Sequence, residues 1–389
     1  MKNSVALDIS ALNPAFKEHA KRGIGRYVRE IYQFLKNDNE IFSLSTFDQC
    51  TLLNNYEKKI ISSLPCGKQS ISQQIFIPYK LRRHTRSADF IHFPAHTDVP
   101  LLAPRPYIVT VLDLIYLLFK DLYDQGNYRA RFARALEIAS IKNADMIIAI
   151  SECTANDVFK LLKIPYEKIR VTHLGVDESF FNLVLDRDYE NNFRKEYNLL
   201  DSTKIILYVG GIDQRKNYKT LLETVKILQD KYKENKAFDF RLVMVGSIQN
   251  DRQYPIYKNL IKEYKIDDIV IEAGFLEDSN LKSLYKFSTL LFFPTLYEGF
   301  GLTPLEALAS GLPVVASNTP AVKEVVRDFA LTADAKDSKT FASYIDNLFL
   351  NIDLRKRLSV EGIEHAKNFT WEKTGEKTIE VYEEMFKKI

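Results

Sequence analysis

The stretch Pro294-Thr-Leu-Tyr-Glu298-Gly-Phe-Gly-Leu-Thr-Pro-Leu-Glu306-Ala-Leu-Ala-Ser-Gly-Leu-Pro-Val314 follows the apolar run at 290–293. It reads as the end of a strand, a tight loop, a helix and, past Gly311-Leu-Pro, the start of another strand. That is one unit of a parallel α/β sheet. Gly299 and Gly301 let the backbone come close to a ligand, and a helix opening at Thr303-Pro304 presents unpaired amides at the positive end of its dipole. Such a helix start suits a phosphate. The loop lies at the carboxyl end of a strand, where open parallel sheets bind ligands. Glu298 and Glu306, eight positions apart, flank the loop and would hold two ends of one elongated ligand. Each has a plain alternative: Glu306 completes a capping box with Thr303, and Glu298 is a solvated loop residue.

Outward from this stretch, short apolar, β-branched runs alternate with longer segments of helical period, the pattern of repeated βαβ units. Strands are expected at 5–9, 90–93, 107–112, 146–150 and 169–172, with helices at 24–35 and 129–141. The pattern restarts with strands at 204–209, 241–245, 269–272, 290–293 and 314–316. Two doubly wound domains follow, with the boundary in the charged, Asn-rich segment 174–200. The expected division is a first Rossmann-like domain at 1–180, a second at 181–370, and a helix at 371–389. That helix has no strand after it; periodicity leaves open whether it packs on its own domain or crosses back to the first.

Composition agrees with a two-domain enzyme: 389 residues, 46% hydrophobic and 27% charged, are values of a globular chain too long for one ordinary core. A net charge of +3 argues against a general nucleic-acid binder. Cys50, Cys66 and Cys153 form no C-x-x-C pair, so neither a disulfide framework nor a zinc site is implied, and a reducing cytosol fits. Asp8 interrupts the first apolar stretch, which is unlike a signal peptide. The apolar runs at 111–119 and 290–293 fall short of the roughly 20 residues that span a bilayer. Any membrane contact is expected to be peripheral, at the inner face of the cytoplasmic membrane.

Two further motifs carry chemistry. Leu207-Tyr-Val-Gly210-Gly211-Ile-Asp-Gln-Arg215-Lys216-Asn217 runs from a strand through a glycine turn toward a helix. Lys216 as a point charge and Arg215 as a fork would grip a diphosphate there, although two basic residues before a helix are also ordinary solvated surface. Arg22-Gly23-Ile-Gly25-Arg26-Tyr27 opens the first long helix. It lacks the third glycine and the tight strand-to-helix turn of a dinucleotide fingerprint, so no nicotinamide site is expected.

Glu298 and Glu306 with Gly-Phe-Gly-Leu between them match the E-x(7)-E motif of the retaining GT-B glycosyltransferases of family 4, and the chain resembles their mannosyltransferase branch. The resemblance implies a GT-B fold, two Rossmann-like domains with a cleft between them, and sugar transfer with no metal and no cofactor. It implies that Glu298 contacts the donor-sugar hydroxyls and that Phe300, Gly301, Leu302 and Thr303 approach sugar and diphosphate. Glu306 would hold the ribose, and Lys216 with Arg215 and Gly211 the diphosphate. Gly23 and Gly25 correspond to a glycine loop facing the diphosphate, with Arg26 beside it. GDP-mannose is the first expected donor, with a UDP-sugar as the alternative, and a glycan or lipid-linked glycan of cell-envelope polysaccharide is the expected acceptor.

Two departures from that family stand out. Many relatives carry His-Asp-Leu after the strand at 107–112, whereas this chain has Leu112-Asp113-Leu114. Leu112 cannot supply a proton or a hydrogen bond from its side chain, so Asp113 becomes the first-domain candidate and His96 a second acceptor-side one. Some relatives also have an arginine where Gly211 stands. Asp186-Arg-Asp188 has the form of a metal-binding D-x-D, but it lies in the expected linker and is not assigned a metal. Lys80-Leu-Arg82-Arg83-His84-Thr-Arg86, next to the apolar run 75–79, is either a solvated loop or a docking surface for anionic membrane.

Overall fold

A computed structural model describes residues 2–16, 23–37, 41–63, 74, 76–120, 128–235 and 238–389. Arg22, Cys66 and Ile75 therefore lie outside the described residues. The chain divides into two compact units, one made of residues up to Gly175 together with Trp371–Ile389, the other of Val176–Thr370.

The first unit is built on a six-stranded parallel sheet of β1 (Ser4–Asp8), β2 (Ser43–Phe47), β3 (Phe90–Phe93), β4 (Tyr107–Val111), β5 (Met146–Ala149) and β6 (Ile169–Val171), in the order β2-β1-β3-β4-β5-β6. β3, β4 and β5 are buried along their whole length. Burial on both faces is why they read as continuous apolar runs rather than as alternating ones. Registers such as Ile108↔Met146 and Ile91↔Tyr107 align their carboxyl ends on one edge.

The helix Trp371–Lys388 belongs to this unit. Its Tyr382 hydroxyl lies 2.6 Å from His92 Nδ1, while His92 Nε2 lies 2.9 Å from Thr110 Oγ1, itself 3.1 Å from the Tyr27 hydroxyl. This chain of polar groups links the helix, β3, β4 and the helix Gly23–Asn37. Burial pushes the His92 imidazole down to about 3, so it is neutral at ordinary pH. Gly375 packs the helix tightly against Gly23–Asn37: an added Cβ would stand 2.1 Å from Phe34 Cδ1.

The second unit repeats the architecture with β7 (Lys204–Val209), β8 (Phe240–Val245), β9 (Val270–Gly274), β10 (Leu290–Phe293), β11 (Val314–Ser317) and β12 (Leu331–Ala333), in the order β12-β11-β10-β7-β8-β9. From β7 the chain winds outward through β8 and β9, then returns to the other side of β7 as β10. The topological switch point therefore lies between β7 and β10. Crevices at such points, outside the carboxyl ends of the strands, are where open α/β sheets bind ligands.

Two strands escape the sequence reading, β2 and β12. Both are edge strands. β2, Ser-Leu-Ser-Thr-Phe, is exposed on alternate residues, and β12 has three residues. Asp186 does not stand in an unstructured linker; its side chain caps the helix Arg187–Glu196 by accepting from the Tyr189 amide at 2.9 Å. No helix among the described residues is long and apolar enough to cross a membrane.

Candidate functional site

The loops after β7 and β10, which carry the two strongest motifs, meet at the switch point of the second unit. Asp213 caps a short 3-10 turn, Gln214–Lys216, and Asn217 then takes a left-handed conformation at φ 59° to start the helix Tyr218–Tyr232. The Asn217 amide donates to Pro294 O at 2.8 Å and to Ala335 O at 2.5 Å, tying this loop to the ends of β10 and β12. The Leu296 amide donates to Arg215 O at 2.8 Å, and the Thr295 hydroxyl oxygen lies 3.1 Å from the same carbonyl. Ser317 braces the same place by donating to Thr295 O at 2.6 Å.

This framework aims Glu298 at two cations. Its Oε1 accepts from Lys216 Nζ at 2.8 Å, from Arg215 Nη1 at 2.9 Å and from the Thr295 hydroxyl at 2.9 Å. Arg215 also reaches Tyr297 O at 3.2 Å and Asp213 at 3.4 Å, and the Lys216 ammonium sits 5.1 Å from the centre of the Phe293 ring. Burial alone would raise the Glu298 carboxyl, and it is the largest single influence. Lys216 and Arg215, helped by the hydrogen bonds, outweigh it and hold the group below its usual range. Glu298 is therefore ionised, and it is not a solvated loop residue: its side chain is 14% exposed.

The helix beyond the loop starts one residue earlier than expected, at Leu302, with Gly301 as its N-cap at φ 122°, a backbone conformation that favours glycine. Thr303 and Pro304 sit in its first turn, and the capping box does not form. Glu306 is the fifth helical residue, 7% exposed, and its carboxylate accepts from the Tyr285 hydroxyl at 3.0 Å. Phe300 is buried edge-on against Phe369, and Leu302 and Thr303 are half-buried. Gly211 accepts the Tyr208 hydroxyl at 2.5 Å through its carbonyl.

Sequence reasoning read the glycine turn at Gly210 but passed over its counterparts at Gly246 and Gly274. Gly210, Gly246 and Gly274 end or follow β7, β8 and β9, all at positive φ. A Cβ on Gly246 would lie 2.4 Å from Gly210 O, and the Gly246 amide donates to Gly274 O at 2.8 Å. Next to Gly274, Phe275 is 72% exposed. The available signal was a repeated one, Val-Gly-Gly, Val-Gly-Ser and Ala-Gly-Phe, each closing an apolar run.

In the first unit, Gly23 and Gly25 form the first turn of the helix Gly23–Asn37, Gly23 exposed and Gly25 buried, with Arg26 half-buried beside them. Leu112 and Asp113 follow β4, and Asp113 accepts from the Ile115 amide at 3.1 Å. His96 is 3% exposed, accepts the Leu112 amide on Nδ1 at 3.3 Å and places Nε2 3.2 Å from Glu137 Oε1. With Nδ1 accepting, the ring proton belongs on Nε2. The imidazole is thus turned into the protein and braces the turn that carries Asp113.

In the basic run at 80–86, Arg82, Arg83 and Arg86 are exposed. Lys80 pairs with Glu57 at 2.8 Å, His84 packs edge-on against Phe47, and Arg82 and Arg86 line a pocket with Arg105 and Pro106, at the amino end of the sheet.

Comparison with known proteins agrees with this geometry. Residues 190–365 match the profile of Glycosyl transferases group 1, and residues 21–180 that of Glycosyltransferase Family 4. The chain belongs to the family 4 GT-B glycosyltransferases. It is 24% identical over 381 residues to O-antigen chain mannosyltransferase B of Escherichia coli, covering 92% of this chain and 95% of that protein. To the serotype-specific mannosyltransferase WbdA of Escherichia coli it is 27% identical over 270 residues, 69% of this chain and 32% of that larger protein. The sucrose-phosphate synthase of Thermosynechococcus elongatus superposes with a TM-score of 0.72 at 20% identity, covering 100% of both chains, which establishes the shared GT-B fold.

Within this glycosyltransferase, Arg215, Lys216, Glu298 and the start of the Leu302–Ala309 helix gather at one crevice of the second unit. Asp113, His96 and the Gly23–Gly25 turn belong to the first unit.

Proposed function

We propose that this glycosyltransferase moves mannose from GDP-mannose to a glycan or lipid-linked glycan in cell-envelope polysaccharide synthesis, with retained configuration and without a metal ion. The observation that carries the reading is the convergence of Lys216, Arg215 and Thr295 on Glu298 at the switch point. Lys216 and Arg215, balanced here by Glu298 and Asp213, can turn to a diphosphate, and the amides at the start of the Leu302–Ala309 helix add positive potential there. In transfer, the bond from the anomeric carbon to the donor phosphate oxygen breaks, its electron pair leaving with the diphosphate. A bond to the acceptor hydroxyl oxygen forms, and that hydroxyl's proton passes to the departing phosphate. Lys216 and Arg215 would stabilise the charge that grows on the leaving group, the duty a metal performs elsewhere. Glu298 would orient the sugar, Glu306 the ribose, and Phe275 offers an aromatic face to the base.

The similarity to two mannosyltransferases of Escherichia coli supports mannose as the sugar. A panel of labelled nucleotide sugars, incubated with glycan and lipid-linked acceptors in excess EDTA, tests the reading. Transfer from GDP-mannose with the α configuration retained in the product is expected. Activity that disappears with EDTA and returns with manganese overturns metal independence, and transfer from a UDP-sugar alone overturns the donor.

A second reading is favoured by Leu112, whose side chain is buried and carries no proton chemistry: a nucleotide-sugar-binding protein without transfer. It predicts donor-induced stabilisation, about 2.7 kcal/mol at a concentration 100 times the dissociation constant, with no product from any acceptor.

A further inference from the structure

The helix Ile352–Ala366 of the second unit packs against the Leu302–Ala309 helix at Gly362, where an added Cβ would stand 3.0 Å from Leu308 Cδ2. In its last turn the His365 imidazole, 6% exposed, donates through Nε2 to Val325 O at 2.7 Å. That carbonyl belongs to the end of the helix Pro320–Val326, where carbonyls lack an intrahelical partner. The same ring lies on Phe329, 4.3 Å between centroids at 19°, and meets Phe369 edge-on at 5.5 Å. Phe369 in turn packs edge-on against Phe300, and its carbonyl accepts the Val176 amide at 3.0 Å. Gly301 faces the same framework: a Cβ there would stand 3.7 Å from Val322 Cα and 3.8 Å from Val325 Cγ2. The Phe300–Gly301 step thus has one wall in Pro320–Val326 and another in Phe369, and His365 touches both.

The turn after Pro320–Val326 gives this histidine a strained segment to hold. The Phe329 amide donates to Val326 O at 3.0 Å, closing a four-residue turn whose second residue, Arg327, has φ 47° and ψ −125°. Type II′ turns place glycine in that conformation. An arginine there is strained, and such a backbone persists only where its surroundings over-determine it. His365 supports the turn on both sides, with its hydrogen bond to Val325 O just before it and its ring stacked on Phe329 at its close.

We infer that His365 is a positioning residue for the donor-binding loop: by pinning the Arg327 turn and Phe369, it holds Phe300, Gly301 and the first amides of the Leu302–Ala309 helix where a donor diphosphate meets them. The inference rests on the reading of this loop as the donor site given above. His365 does not touch the donor in this role. Without the clamp the loop spends part of its time out of place, and a donor binds only the competent fraction. Its apparent dissociation constant then rises by the inverse of that fraction, while the bound complex stays as in the wild type. The signature is a loss of donor affinity with kcat retained.

The test uses the whole chain and has two arms. In the first, hydrogen exchange of the amides at 299–303 is followed in the ligand-free protein, with the strand Lys204–Val209 as the internal control. His365→Leu keeps apolar volume but loses the donor to Val325 O, and should speed exchange at 299–303 by about tenfold with the control strand unchanged. His365→Gln can still donate to that carbonyl and should stay within about threefold of wild type. In the second arm, GDP-mannose, UDP-glucose and GDP are titrated by calorimetry. For each nucleotide that the wild type binds, His365→Leu should raise the dissociation constant by about tenfold, with kcat at saturating donor within about threefold. Adding Arg327→Gly, which lets the turn keep its conformation unaided, should bring the dissociation constant back to within about threefold of wild type. His365→Asn, too short to reach Val325 O, replaces His365→Leu if that chain does not fold, with the same expectation. Wild-type exchange and affinity in His365→Leu, or an affinity loss that Arg327→Gly does not relieve, overturn the inference and leave His365 a packing residue that moves only the melting temperature. Wild-type binding to none of the three nucleotides removes the donor-site reading together with the inference, whereas wild-type binding that His365→Leu leaves unaltered overturns the inference alone.

Discussion

Glu298 and Lys216 face each other at 2.8 Å across the ends of β10 and β7, with Arg215 at 2.9 Å on the same carboxylate oxygen. One carboxylate thus holds two cations in place, with Asp213, 3.4 Å from Arg215, as a second counter-charge. Removing Glu298 should do more than delete a sugar contact. In Glu298→Gln the two cations stand close without that shared counter-charge, so kcat is expected to fall by ~10² or more and donor KM to rise as well, since Lys216 loses its orientation. Wild-type kcat in Glu298→Gln would remove the residue from the proposed site.

The same carboxylate sets an acid limit. Its pKa is depressed in the folded state, so the stability it contributes is fully present above the unfolded value of about 4.3 and is lost as pH falls through the lower folded value. The difference in unfolding free energy between wild type and Glu298→Gln should therefore be flat from neutral pH to about pH 5 and shrink below about pH 4. A difference already declining at pH 6 contradicts the assignment.

Glu306 calls for a separate experiment, because it accepts from the Tyr285 hydroxyl instead of capping its helix. If it holds the ribose, which is remote from the breaking bond, Glu306→Gln should mainly raise donor KM, with kcat within about threefold. Tyr285→Phe should shift KM the same way by a smaller factor, since the carboxylate remains and only its brace is gone. Steady-state kinetics on both variants decide it; a kcat loss without a KM change would place Glu306 nearer the chemistry.

His92 gives the first unit a pH dependence of opposite origin. It is buried neutral and titrates near 3 when folded, while the unfolded residue takes up its proton near 6.5. Between these values the unfolded chain binds the extra proton, so stability should decline as pH falls below about 6.5, by up to ~1.4 kcal/mol per pH unit. His92→Gln is expected to be less stable at pH 7 and less pH-sensitive between pH 4 and 6, as measured by denaturant unfolding. An unchanged pH slope would refute this.

Gly246→Ala should damage the site from behind. The new Cβ would sit 2.4 Å from Gly210 O at a backbone φ of 147°, which costs about 2–3 kcal/mol through clash and strain together. Relief requires moving the Gly210 carbonyl, so donor affinity should fall alongside the melting temperature, a coupling that calorimetry and donor titration can read on one sample.

The core strands were legible because burial on both faces leaves uninterrupted apolar runs; Phe90–Phe93, Lys204–Val209 and Leu290–Phe293 stand where those runs stand. Ser43–Phe47 was invisible because it alternates with solvent and carries two serines, and Leu331–Ala333 because it has three residues, whereas the other edge strands, Ile169–Val171 and Val270–Gly274, keep apolar runs that could be read. The three residues of the Glu298 cluster could be picked out as chemistry-bearing, but their mutual contact depends on the strand order, and nothing in the spacing of residues 215 and 298 encodes that β7 and β10 are neighbours. Glu306 shows the reverse: Thr-x-x-Glu is a sound local signal, overridden because Gly301 starts the helix earlier and Tyr285 comes from another helix. The final helix is a third kind, since an apolar stripe shows that a face is covered and not by what.

That helix has a consequence for how the chain is made. Residues 371–389 are synthesised only after the whole second unit, yet the first unit is not closed without them. Tyr382 packs edge-on against Phe42 and Phe90, so during synthesis of residues 176–370 those rings and the His92 imidazole lack their cover. The first unit to emerge is thus the last to be completed, which makes its apolar flank the point at which a nascent chain is most exposed to aggregation. Refolding of a chain cut at Gly175 should stall in a collapsed, incompletely packed state, and a peptide spanning 371–389, supplied separately, should release it.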